Sequence, residues 1–269
     1  MNLNRVYTIV RKDLMDVFSD GSTVATLFIL PAIFSILLPL IILVGGTRNS
    51  FLQTIGGVNE FLSNVGTNLI PQYINRNLIG EYALLMFFFI PLFLLIPIMI
   101  ATLTATTSFV GERENKTFEG LLYTPLTDSE IVFGKIMASM IPSVGISWLA
   151  TLVYGIILDT VGYHTFSRII FPNLSWVIET FVLVPTITFL SIALIIGVSQ
   201  RAKSTKSAQS ISMLLILPLI GSVVSQASGL MVISLKLILV LTFVLVVIDV
   251  LIFIFVVKRF DREKITLGL

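Results

Sequence analysis

From Leu237 to Val257 only Thr242 and Asp249 interrupt a run of apolar side chains. A helix of that length covers about 30 Å at about 1.5 Å per residue, the thickness of a bilayer's hydrocarbon core. Six such runs are predicted as spans, near 22–46, 80–109, 132–158, 174–199, 207–226 and 234–257. The fifth is the weakest: Pro218, Gly221 and the polar stretch 225–229 predict a broken or re-entrant helix. Soluble domains carry about 25% charged residues. This chain carries 12%, is 56% hydrophobic and has a mean hydropathy of +1.01. Lipid is therefore its main solvent. The expected fold is an all-α polytopic membrane protein, a single transmembrane domain over 1–269 with six transmembrane helices.

The lysines and arginines orient it. With the N-terminus placed in the cytoplasm, inside segments hold thirteen of the seventeen basic residues, among them Arg5, Arg11, Lys12, Arg113, Lys116, Lys135, Lys203 and Lys206. Only Arg48, Arg76, Arg168 and Lys236 fall outside. Both termini are accordingly predicted to be cytoplasmic. The first apolar run begins only near Ser22, after Asp13, Asp16 and Asp20, which is not the pattern of a cleaved signal. Within residues 1–21, Leu3, Val6, Val10, Leu14 and Val17 recur at helical spacing, with Asn4, Arg5, Thr8, Arg11, Lys12, Asp13 and Asp16 on the other face. This predicts an amphipathic interfacial helix on the membrane surface. The outer loop 47–77 is polar, with one short amphipathic stretch at Val58, Phe61, Leu62 and Val65.

Composition excludes several chemistries. A net charge of +2, with no basic stripe, does not fit a nucleic-acid partner. There is no cysteine, and the one histidine, His164, rules out multi-histidine metal sites. Gly145-Ile146-Ser147 has the form of an intramembrane serine nucleophile, but His164 is predicted in the outer loop, away from it. Ser147 instead joins Ser139, Ser143, Thr151 and Gly155 in a small-residue stripe that allows close helix approach.

The densest charge cluster lies between the second and third runs, Gly111 to Lys135. It predicts a short helix over 111–124 stopped by Pro125, then a helix capped by Thr127 or Asp128 with Glu130 in its first turn. Phe118, Leu121 and Leu122 offer an apolar anchor beside a charged rim, the anatomy of a docking surface. The run Glu-Arg-Glu-x-Lys-Thr-x-Glu-x-Leu-Leu-x-Thr-Pro-Leu-x-x-x-Glu-Ile-x-x-Gly-Lys, Glu112 to Lys135, resembles the signature of ABC type-2 exporter permeases, as does the layout of the whole chain. The resemblance implies a cytoplasmic coupling helix resting on a separate ABC ATP-binding subunit. Glu112, Glu114 and Glu119 would face that subunit, Arg113 and Lys116 would pair across the rim, Phe118 would anchor, and Thr124-Pro125 would set the return turn. It further implies a second permease copy beside this one, cargo passing between them, and residence in a cell membrane, the plasma membrane of a prokaryote.

No cofactor is expected in this chain; ATP and Mg would bind the partner. A phosphate loop needs Gly-x-x-x-x-Gly-Lys-Ser/Thr, and Gly197 followed by Lys203-Ser204 does not supply it. Asp249 is the sharpest intramembrane group, and a carboxylate at mid-helix costs about 2.5–3.5 kcal/mol to insert. Its apolar neighbours outweigh that, which leaves Asp249 open to a structural hydrogen bond or to a place on the translocation path. An ion channel or ion-coupled carrier using Asp249 is the competing function, and a membrane scaffold a third. Glu179 and Asp159, near outer helix ends, are expected to meet water.

Overall fold

The computed structural model describes residues 2–45, 61, 70–75, 78–114, 120, 124, 126–199, 204–230 and 234–259, and every regular element among them is helical. Helix α1 (Leu3–Ser19) starts at Asn2, whose side chain accepts from the Asn4 N–H at 3.1 Å. It stops at Asp20, in extended backbone, and the same residue caps the next helix, α2 (Gly21–Gly45). The Asp20 carboxylate accepts from the hydroxyls of Thr23 and Ser22 and from both backbone N–H groups; these bonds lower its pKa from 3.8 to about 2.

Helix α3 (Ile79–Gly111) is the axis of the fold. Of its apolar stretch 78% lies inside the protein, against 11% for the last helix. Its ladder is displaced by wide turns at Leu84–Phe88 and Thr107–Gly111, and Pro91 has no N–H to offer the Phe87 carbonyl. Side chains from other helices serve the carbonyls in the first wide turn. The Tyr154 hydroxyl donates to Leu85 at 2.7 Å, the Trp176 indole to Met86 at 3.2 Å and the Gln226 amide to Phe87 at 3.3 Å. A buried carbonyl left without a donor costs about 1–3 kcal/mol, so these contacts are needed rather than incidental.

Helix α4 (Asp128–Phe166) opens with a capping box. The Glu130 N–H donates to the Thr127 hydroxyl at 3.4 Å, and the Thr127 N–H donates to the Glu130 carboxylate at 3.0 Å. It ends at Ser167, which takes φ 54°. Helix α5 (Leu174–Ser199) is capped by Asn173. Then come α6 (Thr205–Ser212), a 3-10 turn at Met213–Leu215, α7 (Ile216–Ala227) and α8 (Leu235–Arg259). The core centres on Tyr154 and Trp176, both fully buried, with ring centroids 4.9 Å apart and Phe93 and Phe171 around them. Gly155 makes room for this cluster: a Cβ there would lie 2.5 Å from the Phe171 ring.

Among the described residues five helices are long and apolar enough to cross a bilayer, and the predicted run 207–226 is divided into α6, the 3-10 turn at Met213–Leu215 and the 12-residue α7, which holds both Pro218 and Gly221. Other expectations need correction. Helix α4 has 39 residues; it starts at Asp128, where the cap was expected, and runs past the predicted span end at 158 to Phe166, which is buried against the core. His164 consequently sits in the last helical turn, not a loop. Glu179 is fully buried rather than wet, and its carboxylate accepts from the Thr180 hydroxyl at 3.2 Å. Asp159 accepts from the Ile170 and Phe171 N–H groups. On α1 the buried face carries Val6, Ile9, Val10, Asp13 and Val17, so Asp13 belongs to the inward stripe, while Leu3 is exposed. Phe87 and Phe89 are buried in the core. Of the outer loop's amphipathic stretch only Phe61 is described; it is buried, edge-on to Phe88 at 5.7 Å.

Candidate functional site: a buried ion junction at the start of the elbow

The second wide turn of α3, Thr107–Gly111, ends where the charged elbow begins. Passing from an i−4 to an i−5 ladder displaces one carbonyl. Lys135, about two turns into α4, reaches that turn and donates to the Ser108 carbonyl at 2.6 Å. The same ammonium bonds the Glu112 carboxylate at 2.6 Å and the Ser108 hydroxyl at 3.2 Å, and lies 3.6 Å from Asp13. The Ser108 hydroxyl in turn donates a hydrogen bond to the Asp13 carboxylate at 2.5 Å. Lys135 is fully buried, and its neighbours are acceptors suited to its three N–H donors.

A second lysine closes the ring. Lys12, adjacent to Asp13 on α1, bonds Asp13 at 3.0 Å and the other Glu112 oxygen, and stands 3.7 Å from Asp16. Burial opposes its charge, but the hydrogen bond and field of Glu112, with those of Asp13, outweigh it and hold its pKa above the ordinary lysine value. Two ammonium groups therefore face two largely buried carboxylates. Charges taken out of water persist only when paired and hydrogen-bonded in this way.

Neighbouring contacts extend the junction. Glu130 accepts from the Asn2 N–H at 2.7 Å and lies 3.8 Å from Arg5, fastening the start of α1 to the start of α4. Between these ties, Gly134 lets Ile9 approach; a Cβ there would meet Ile9 at 3.0 Å. Glu114 accepts from the Thr205 N–H at 3.0 Å, which brings in α6. Beside the ring lies a pocket of about 190 Å³ walled by Asp13, Asp16, Asp20 and Glu112. Four helices thus meet at the first turn of the elbow.

Of the predicted docking residues, Glu112 turns inward to both lysines, with 11% of its side chain exposed. Glu114 is exposed, and Arg113 has its backbone in the same turn. Lys116, Phe118 and Glu119, with most of the predicted helix 111–124, lie outside the described residues. Asp249 is buried on α8, distant in sequence from the junction, and its Oδ1 has no hydrogen-bond partner among the described residues. Sequence reasoning missed Asp13, Ser108, Lys12 and Lys135 as a unit. The available signal was Asp13 at i+7 from Val6 on the apolar stripe of α1, a charge that a buried face tolerates only with a partner.

A family model described as "ABC-2 family transporter protein" matches residues 7–238. No curated protein matches the chain. The matched segment takes in the junction, the elbow and all five long apolar helices except most of α8. Those helices make the chain a multi-pass membrane protein, and a family of this kind is a membrane transport component rather than an ATPase. With more than half of its length matched, the chain belongs to the ABC-2 family of transporter proteins.

Proposed function

We propose that the chain is the permease subunit of an ATP-driven exporter, working as a pair of permeases on two separate ATP-binding subunits. The observation that carries this reading is the junction. Glu112 opens the elbow and is locked to α4 through Lys135 and to α1 through Lys12. A push on residues 115–125 would then be delivered to α3, α4 and α1 together. Paired charges in low dielectric are costly to separate and transmit such a load without yielding. Glu112 serves as the inner anchor of this device; Glu114, Arg113, Lys116, Phe118 and Glu119 are the candidates for contact with the ATPase. ATP and Mg belong to that partner.

The sixth crossing is α6 with α7. At its start Thr205 is tied to Glu114; near its end Gln226 is tied to Phe87, deep in the other half of α3. From Thr205 to Gln226 the rise is about 31 Å if helical throughout, enough for the hydrocarbon core. Six crossings place both termini on one side, which the basic residues mark as cytoplasmic, in a prokaryotic plasma membrane. An ion-coupled carrier is favoured by one observation, the oxygen of buried Asp249 that has no partner among the described residues; D249N should abolish transport in a carrier and spare it in an ATP-driven pump.

The chain has no cysteine, so a photo-crosslinker on E114C reports one site. In membranes of the native host it should capture a P-loop ATPase. Recovery of no ATPase, or labelling of E114C by an impermeant reagent from the outer face, would overturn the assignment.

A further inference from the structure

Helix α1 carries two apolar stripes. Val6, Ile9 and Val10 pack on α4 at Gly134 and Ala138, with Asp13 and Val17 on the same buried side. Beside them runs a second stripe. Leu3, Tyr7 and Phe18 are 71%, 66% and 46% exposed, and half-buried Leu14 lies among them. At about 100° per residue these four share an arc of about 60°. The flank opposite is ionic: Arg5 reaches Glu130, and Lys12 holds Asp13, Asp16 and Glu112. Arg11 belongs to neither group. It is exposed at the outer edge of the second stripe, about 40° beyond Tyr7, and has no ion-pair partner among the described residues.

The position of α1 says what covers the free stripe. Asp20 separates it from the 25 residues of α2, which rise about 37 Å and fill the hydrocarbon core. Phe18, two residues earlier, therefore stands at the hydrocarbon edge. From Asn2 on Glu130 to Asp13 on Lys135, α1 advances eleven residues, about 17 Å, while α4 advances five, about 8 Å. Helix α1 accordingly lies nearer the membrane plane than the axis of α4, with one flank toward lipid and one toward water. Lipid cannot solvate the charges of Arg5 and Asp16. The flank it can cover is that of Leu3, Tyr7, Leu14 and Phe18. Arg11, on the rim of that flank, then meets the phosphates. A guanidinium matches phosphate with two parallel N–H bonds. A headgroup without a cation of its own leaves the phosphate charge for Arg11 to balance.

We propose that α1 binds an anionic phospholipid, its phosphate on Arg11 and its acyl chains against Tyr7, Leu14 and Phe18. The lipid moors to the membrane the helix that supplies Lys12 and Asp13 to the ion junction. The test uses the full chain, free of cysteine, in phospholipid nanodiscs, with a bimane fluorophore on Y7C or, on the ionic flank, on D16C. Brominated lipid should quench the fluorophore at position 7, and aqueous iodide the one at position 16. Brominated phosphatidylglycerol should match the quenching by brominated phosphatidylcholine at about fivefold lower mole fraction, an enrichment worth about 1 kcal/mol. R11Q should bring the two lipids level while lipid still quenches at position 7. Iodide reaching position 7 would place the stripe in water, and quenching there by neither agent would show a second copy covering it; both refute the site. Equal quenching by the two lipids with Arg11 in place, or a preference that survives R11Q, refutes the role of Arg11. Loss of the preference on adding glycerol 3-phosphate would show a site for soluble phosphates and refute the lipid. No ATPase enters this assay, so its failure and the failure of the exporter assignment are separate events.

Discussion

Replacing Lys135 by methionine isolates the weight of the junction. Methionine fills nearly the same volume but cannot donate. The Ser108 carbonyl and the Oε2 of Glu112 lose their bonds at 2.6 Å, and Asp13 and Glu112 are left sharing Lys12 alone. Because Lys135 is fully buried, the change falls in the class of broken buried pairs, about 3–5 kcal/mol. Lys12 touches the same carboxylates, yet 44% of its side chain is exposed, so water and salt can replace it; K12M should cost about 1 kcal/mol or less. The contrast holds the partners constant and varies burial. Trp148 and Trp176 provide a fluorescence signal for unfolding titrated with SDS in mixed micelles. K135M is expected to shift the folded-to-unfolded ratio about thirtyfold or more relative to K12M. The cycle K135M, E112Q and both together should give a coupling of about 0.5–3 kcal/mol. Equal losses for K135M and K12M, or independent effects of Lys135 and Glu112, would show that the ring does not bear load.

Three other perturbations address different parts of the molecule. G134A should weaken the α1–α4 contact by about 1–3 kcal/mol, since its Cβ meets the Cβ and Cγ2 of buried Ile9 at 3.0 Å; faster protease release of α1 reads this out, and an unchanged rate would refute the close approach. Q226A should cost about 1–3 kcal/mol by stranding the Phe87 carbonyl, and less in a P91A background, where residue 91 regains an N–H for it; a thermal-denaturation cycle checks the difference. The Asp20 cap has a native pKa of about 2 against an ordinary 3.8, so its contribution is full above about pH 4 and disappears as pH falls through about 2. D20N, which caps without titrating, should flatten the melting temperature over that window, and an unchanged slope would remove Asp20 from the account.

The sequence read most easily where one physical rule decided the outcome. Apolar length marked α2, α3, α5 and α8 to within a residue or two, and the Thr127–Glu130 spacing announced the cap of α4. Helix α4 ran long because a helix continues as long as its far turns find something to bury against, and Phe166 finds the aromatic core. The ring escaped notice for a related reason. Lys135, Glu112 and Asp13 are far apart in the chain, and each alone obeys a simpler rule, a basic residue inside or a charge on a surface helix. Glu179 was misjudged because nearness to a helix end gives depth along the axis and says nothing of what surrounds it.

The three side-chain donors on the first wide turn of α3 land on consecutive carbonyls, Leu85, Met86 and Phe87, and come from α4, α5 and α7. Each neighbour is thereby assigned its own rung of the same ladder. Were one of them to slide by a single residue, its donor would arrive at a rung already taken. Successive carbonyls also point about 100° apart around a helix axis, so turning about α3 would strip these donors as surely as sliding along it. This end of α3 and the parts of α4, α5 and α7 that serve it should therefore move as one body.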